Sequence, residues 1–172
     1  MIPKIQTVLY ATDLSKNSAY AFRYAVNTAR QHNAKIHLLH VIGALSPQEE
    51  ALILVYVEQK ELDRRRKDAN EDLRQKIEER LKQFAERELK DDPETMKRVV
   101  GIHVVEGDPA TEILNMSDKL GSDIVIMGTH GKGVIGHAFL GSVAEKILRR
   151  IHKPVYIIPL PKGETDITLG EI

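Results

Sequence analysis

Cysteine is absent from the 172-residue chain, which excludes disulfides, thiolate metal sites and a cysteine nucleophile. That absence suits a reducing cytoplasm. Net charge is absent as well: 25 Lys and Arg balance 25 Asp and Glu, so no overall field draws the chain to nucleic acid or anionic lipid. No apolar run approaches the ~20 residues needed to span a bilayer. The first ten residues enter a strand-like run without the basic and apolar regions of a signal peptide. Internal repeats and low-complexity linkers are also missing. What is present is ordinary for a globular protein, with 42% hydrophobic and 29% charged residues. The expectation is a soluble cytoplasmic protein of one domain, residues 1–160, followed by an aperiodic tail at 161–172.

Apolar periodicity divides the chain into alternating strands and helices. Ile5–Ala11, Lys35–Ile42, Arg98–Glu106, Ser122–Met127 and Val155–Ile158 read as strands, rich in β-branched residues. A first helix starts at Ser15 or Asn17 as N-cap and ends near His32-Asn33. Pro47 opens a second helical region, and Asp91-Asp92-Pro93 is read as its end. Within residues 48–92, Leu73, Ile77, Leu81, Phe84 and Leu89 recur at helical spacing. From Glu58 to Asp92, 23 of 35 residues are charged, 11 basic against 12 acidic. This is the pattern of a solvated helix face, and the run Arg64-Arg65-Arg66-Lys67 within it is no nucleic-acid patch. Thr111, Ile113, Leu114, Met116 and Leu120 outline a helix after Pro109, and Gly141–Ile151 is the last. Five alternations predict an α/β fold with a parallel sheet and helices on both faces.

The stretch from Ile124 to Pro159 carries the chemistry. Glycines stand at 128, 131, 133, 136 and 141, five in fourteen residues, after an apolar strand and before a helix. Glycine loses the most backbone freedom on folding, so such a loop exists for close approach of bare amides to a ligand, most often phosphate. A Walker A loop fails because Gly131-Lys132 is followed by Gly133 and position 126 is Ile. Gly131-Lys132-Gly133-Val134-Ile135-Gly136 matches the dinucleotide pattern literally. It starts four residues after the strand, however, and position 156, where the ribose-binding acid belongs, is Tyr. The other polar loop at a strand's carboxyl end is Thr12-Asp13. If both loops line one site, strands one and four are neighbours and the site is the point where the winding reverses.

A third pattern fits: Gly128, two residues, Gly131, nine residues, then Gly141-Ser142. With Tyr10–Ser15, Leu39-His40-Val41, Gly107-Asp108-Pro109 and Lys153–Pro159, it resembles the nucleotide-binding universal stress proteins over residues 3–159. The resemblance implies a five-stranded parallel sheet of order 3-2-1-4-5, Rossmann-like and similar to the adenine nucleotide alpha hydrolases. It also implies a site for ATP, ADP or AMP, with Mg or Mn carried by the nucleotide. Asp13 would lie beside ribose and phosphates, directly or through the cation, with Ala11 and Thr12 leading into it. The Val41 backbone would meet the adenine edge, and Met127 with Gly128 would border the ribose. Gly131, Gly141, Ser142 and Val143 would hold phosphates, with His130 in the same loop. Read from the residues alone, Ser142 is a candidate N-cap, Asp13 a loop or capping residue, and Met127 equally core or pocket.

Three functions compete. The first is an ATP-binding regulatory module with slow hydrolysis at most; the resembled family commonly forms homodimers through the last strand, here Val155–Ile158. The second is an ATP hydrolase or nucleotidyl-transfer enzyme of a related fold, but the S-G-G-x-D-S and H-x-G-H signatures of such relatives are missing. The third is a non-nucleotide interaction module, against which the complete glycine spacing counts. His130 has no carboxylate at a telling spacing to make it a base. His37 and His40, three apart on a strand, face opposite sides and do not share a metal.

Overall fold

The computed structural model describes residues 2–44, 47–55, 59–129 and 140–159. Five strands, β1 (Thr7–Thr12), β2 (Lys35–Gly43), β3 (Val99–Gly107), β4 (Ile124–Gly128) and β5 (Val155–Ile158), form one sheet of order β3-β2-β1-β4-β5. All four pairings are parallel. The helices are α1 (Lys16–His32), α2 (Pro47–Leu54), α3 (Gln59–Glu88), α4 (Pro93–Met96), α5 (Pro109–Lys119) and α6 (Ser142–Leu148).

Strand side chains alternate between faces, so each interior strand feeds two cores. Val8 and Tyr10 of β1, Ile36 and Leu38 of β2, and Ile124 and Ile126 of β4 pack with α1 and α3. Leu9 and Ala11, Leu39, and Val125 and Met127 pack with α5 and α6 on the opposite face. This explains the uninterrupted apolar runs: a strand covered on both sides has no position left for water. On α1, Ala21, Ala25 and Ala29 are fully buried, and their small side chains allow close approach to the sheet. The rings of Tyr10, Phe22 and Phe84 stand 5.2 and 5.1 Å apart in succession, linking β1 to α1 and α1 to α3.

Two caps and one clamp set the connections. Ser15 is the N-cap of α1, and Asn33 closes it in the left-handed conformation that Asn tolerates better than most residues. Asp123 accepts hydrogen bonds at one carboxylate oxygen from the amides of Gln6 and Thr7, at 2.8 and 2.9 Å, and so joins the entries of β1 and β4.

Several expectations are corrected. Leu73 does not belong to the buried stripe of α3: it is 43% exposed, and the first buried side chain among those described in this helix is Ile77. A single helical period cannot tell where along a helix the core stops. Leu52 and Val55 near α2 are exposed despite their apolar character. Asp92-Pro93 ends one helix and also starts another. Asp92 caps α4, with Pro93 in its first turn, where a missing N–H costs nothing. The last helix stops at Leu148, three residues earlier than its apolar pattern suggests.

Asp108 caps α5, accepting from the Thr111 amide at 3.0 Å and the Thr111 hydroxyl at 2.8 Å. The hydroxyl first, then the amide, hold this carboxyl below the usual carboxylate range, and Lys146 adds to the effect. A depressed folded-state value stabilises above the unfolded-state value of about 3.9 and is lost as pH falls through the lower folded value. Asp108→Ala should cost about 1 kcal/mol at neutral pH, with the difference from wild type closing in acid. Urea unfolding at pH 7 and pH 3 measures this; an equal cost at both would assign the effect to something other than the ionised cap.

Candidate functional site

The order β3-β2-β1-β4-β5 means that the chain winds outward from β1 to β3, then returns to β4 on the other side of β1. The carboxyl ends of β1 and β4 therefore diverge into loops on opposite faces, which leaves a crevice between them. A cavity of about 210 Å³ lies there. It is smaller than the roughly 300–1,000 Å³ of typical small-molecule pockets.

Nine of the expected site residues meet in this cavity. Ala11, Thr12 and Asp13 come from the end of β1, Val41 from β2, Met127 and Gly128 from β4, and Gly141, Ser142 and Val143 from the start of α6. His130 and Gly131 lie outside the described residues. Sequence reasoning overlooked Ser18, His40, Pro109, Ile113 and Thr129, which also line the cavity. A helix-start motif, Gly107-Asp108-Pro109, was the available signal for the α5 pair; nothing local marked Ser18.

The loop after β1 is held by a chain of hydrogen bonds. The Leu14 amide donates to the Thr12 hydroxyl at 3.0 Å, that hydroxyl to Ser18 Oγ at 2.8 Å, and Ser18 Oγ to the Ser15 carbonyl at 2.9 Å. His40 Nδ1 reaches across from β2 to the Thr12 carbonyl at 2.8 Å and must be the donor, since a carbonyl only accepts. The buried Tyr10 hydroxyl donates to the Ser18 carbonyl, and burial pushes this phenol far above its ordinary value. Leu14 takes a φ of 65°, a left-handed conformation that costs a non-glycine residue on the order of 1–3 kcal/mol. Such a conformation persists only where the surroundings enforce it, and here it turns the chain so that Asp13 lines the cavity.

Asp13 has two unlike oxygens. Oδ1 accepts from the Ser15 amide at 3.1 Å and the Ser15 hydroxyl at 2.5 Å, as a loop-capping aspartate does. Oδ2 is buried and has no hydrogen-bond partner among the described residues. A buried carboxylate oxygen left unpaired costs about 1–3 kcal/mol or more, so a partner of opposite polarity would stabilise it. A ribose hydroxyl or a hard cation has that polarity. No group of three or more His, Cys, Asp or Glu among the described residues can hold a metal by itself.

Across the cavity, α6 begins without a side-chain cap. The N-cap is Gly141, with no capping hydrogen bond, and Ser142 is the first helical residue. This corrects the reading of Ser142 as N-cap: glycine precedes it in the extended conformation that the cap position requires. The first amides of any helix have no intrahelical carbonyl, and here no capping side chain among the described residues takes one. The Gly141 amide donates to the Thr129 carbonyl at 2.8 Å, so the exit of β4 and the entry to α6 are tied together at the cavity.

Comparison with known proteins agrees with this architecture. The universal stress protein family profile matches residues 4–159. Universal stress protein MJ0531 of Methanocaldococcus jannaschii is 28% identical over 161 residues, 91% of this chain and 84% of its own length. The same organism's universal stress protein MJ0577 is 28% identical over 151 residues, covering 88% and 93%. The solved structure of MJ0577 superposes with a TM-score of 0.71 at 24% identity, covering 94% of this chain and 100% of that one. A universal stress protein solved in complex with cAMP superposes with a TM-score of 0.50 at 20% identity, covering 91% and 98%.

The geometry at Asp13 makes a stability prediction. Asp13→Asn keeps an acceptor for Ser15 and removes an unpaired buried charge, so it should leave unfolding free energy unchanged within about 1 kcal/mol or raise it. Urea denaturation of the ligand-free protein checks this. A loss above about 2 kcal/mol would make Asp13 a structural cap instead.

Proposed function

The chain belongs to the universal stress protein family, and from that premise we propose that it is an adenine-nucleotide-binding regulatory module of the glycine-signature subgroup. The observation that carries the reading is the cavity between β1 and β4, where Asp13, with a buried oxygen unpaired among the described residues, meets the start of α6, which has no side-chain cap. A nucleotide has complementary ends: ribose hydroxyls to donate to a carboxylate and phosphates to accept from amides. The apolar lining, including Leu39, Ile113 and Met127, suits the flat faces of a base. A universal stress protein that holds cAMP within the same overall fold lends support.

In this reading the Val41 backbone meets the adenine edge, while Ala11, Thr12, Met127 and Gly128 form the walls around the ribose. Asp13 binds ribose hydroxyls or a nucleotide-borne Mg²⁺ or Mn²⁺. Gly131, Gly141, Ser142 and Val143 hold the phosphates through amides and the Ser142 hydroxyl, with His130 alongside. The described lining carries one carboxylate, Asp13, and one histidine, His40, whose Nδ1 is committed to Thr12. That is a binding set, and we infer hydrolysis that is slow at most, in a protein acting in the cytoplasm on an as yet unnamed partner.

Denaturing the purified protein and analysing what it releases, followed by ATP titration with and without Mg²⁺, tests the proposal. The expected result is a recovered adenine nucleotide or saturable ATP binding in the wild type. Gly141→Val should weaken that binding at least about tenfold, ~1.4 kcal/mol, with an unchanged circular dichroism spectrum. No saturable binding by the wild type would overturn the reading. Turnover within the roughly 1–10³ s⁻¹ of ordinary enzymes would move the protein to the enzyme class.

We also infer a homodimer through β5. Among the described residues this edge strand pairs only with β4, and Tyr156 on it is 44% exposed. Light scattering coupled to size exclusion should report a dimer for the wild type and a monomer for Tyr156→Asp. A monomeric wild type, or a dimeric variant, would place any contact elsewhere.

A further inference from the structure

A second constellation lies on the β3 side of the sheet, next to Leu39 of the cavity wall. His37 on β2 and His103 on the edge strand β3 bring Nδ1 and Nε2 to 3.0 Å from each other. Their rings are inclined by 28° with centroids 5.3 Å apart. The two positions are 66 residues apart in sequence and meet because of a register irregularity. Ile36 faces Val99, whereas the next residue, His37, faces Gly101, so β3 carries one extra residue there. Leu39 faces His103, which makes His37 and His103 diagonal neighbours on one face of the sheet.

Gly101 gives this pair its space. A Cβ at that position would stand 2.6 Å from His37 Nδ1 and 2.8 Å from His103 Nε2, closer than atoms of a real side chain approach. The place nearly equidistant from both nitrogens is thus kept clear by the absence of a side chain. We propose that His37 and His103 form a two-imidazole binding site for a divalent d-block cation such as Zn²⁺ or Ni²⁺, held between His37 Nδ1 and His103 Nε2. With metal–nitrogen bonds of about 2.0–2.1 Å, nitrogens 3.0 Å apart subtend about 90° at the ion. That angle suits adjacent positions in square-planar or octahedral coordination and lies within reach of a distorted tetrahedron.

In the ion-free pair one ring donates the bridging proton and the other accepts. On binding, the donor ring carries its proton on the other nitrogen instead, exchanged through water, and both lone pairs face the ion. No net proton is gained or lost by two neutral rings. The groups around the pair act in both directions. Burial first, then His103 and Lys35, keep His37 toward the neutral form that can ligate. Burial first, then Lys119, do the same for His103, against the opposing effect of Glu78. Lys35 and Lys119 also repel a cation, while Glu78 attracts it. Since no third His, Cys, Asp or Glu joins the pair among the described residues, water completes the coordination shell and leaves positions open to exchange.

The test is titration of the full-length, nucleotide-free protein with Ni²⁺ and with Zn²⁺ alone, by calorimetry and by NMR of the imidazole nitrogens. The expected result is one-to-one saturable binding, tighter than about 1 mM, with shifts confined to the His37 and His103 rings. His37→Gln and His103→Gln should each weaken it at least tenfold, and Gly101→Ala should do so by pushing the two rings out of place. The ATP titration should be unchanged in the glutamine variants, which separates this site from the nucleotide cavity. No saturable binding by the wild type, or wild-type affinity in either glutamine variant, would overturn the proposal.

Discussion

The pairing of β1 with β4 is the contact on which the rest of the molecule depends. Val8, Leu9 and Tyr10 lie beside Ile124, Val125 and Ile126, strands separated by most of the chain. At the entry to this pairing, Asp123 holds the amides of Gln6 and Thr7 on one carboxylate oxygen. At its exit, the two strands turn away to opposite faces, and the cavity is the space left by that divergence. A sheet ordered without this reversal would bury the same apolar residues but would bring Asp13 no neighbour from α6. The crevice is therefore a consequence of topology, and the side chains at its rim give it chemistry.

Those rim residues break local rules that the rest of the fold obeys. Leu14 is left-handed without being glycine or asparagine, Asp13 keeps a buried oxygen unpaired among the described residues, and α6 starts on a glycine with no side-chain cap. By contrast, α1 is capped by Ser15 and α5 by Asp108. Local choices that disagree with stability are expected where function competes with it. The concentration of three such choices around one cavity agrees with a ligand that supplies what the protein leaves open.

Much of this was legible from residue order, for identifiable physical reasons. Strands covered on both faces must be apolar throughout, so Val8–Ala11 and Ile124–Met127 announced themselves. Glycine clusters after a strand are costly enough to signal close backbone approach, and the 128–131–141 spacing led to the correct strand order. What escaped depended on contacts between distant residues or on single backbone angles. The Asp123 clamp, the His37–His103 pair created by a bulge, and the inversion at Leu14 have no periodic signature. Leu73 kept the helical period yet lies beyond the edge of the core, because a pattern shows which side of a helix is apolar and not how far the sheet extends beneath it.

The central claim is that a nucleotide occupies the space between Asp13 and the first turn of α6. A crystal structure of the protein grown with ATP and Mg²⁺ tests it most directly. The account predicts the base against the Val41 backbone, the ribose or a bound cation at Asp13 Oδ2, and phosphates at the amides of Ser142 and Val143. A nucleotide bound at any other surface, with Asp13 Oδ2 still without a partner, would contradict it.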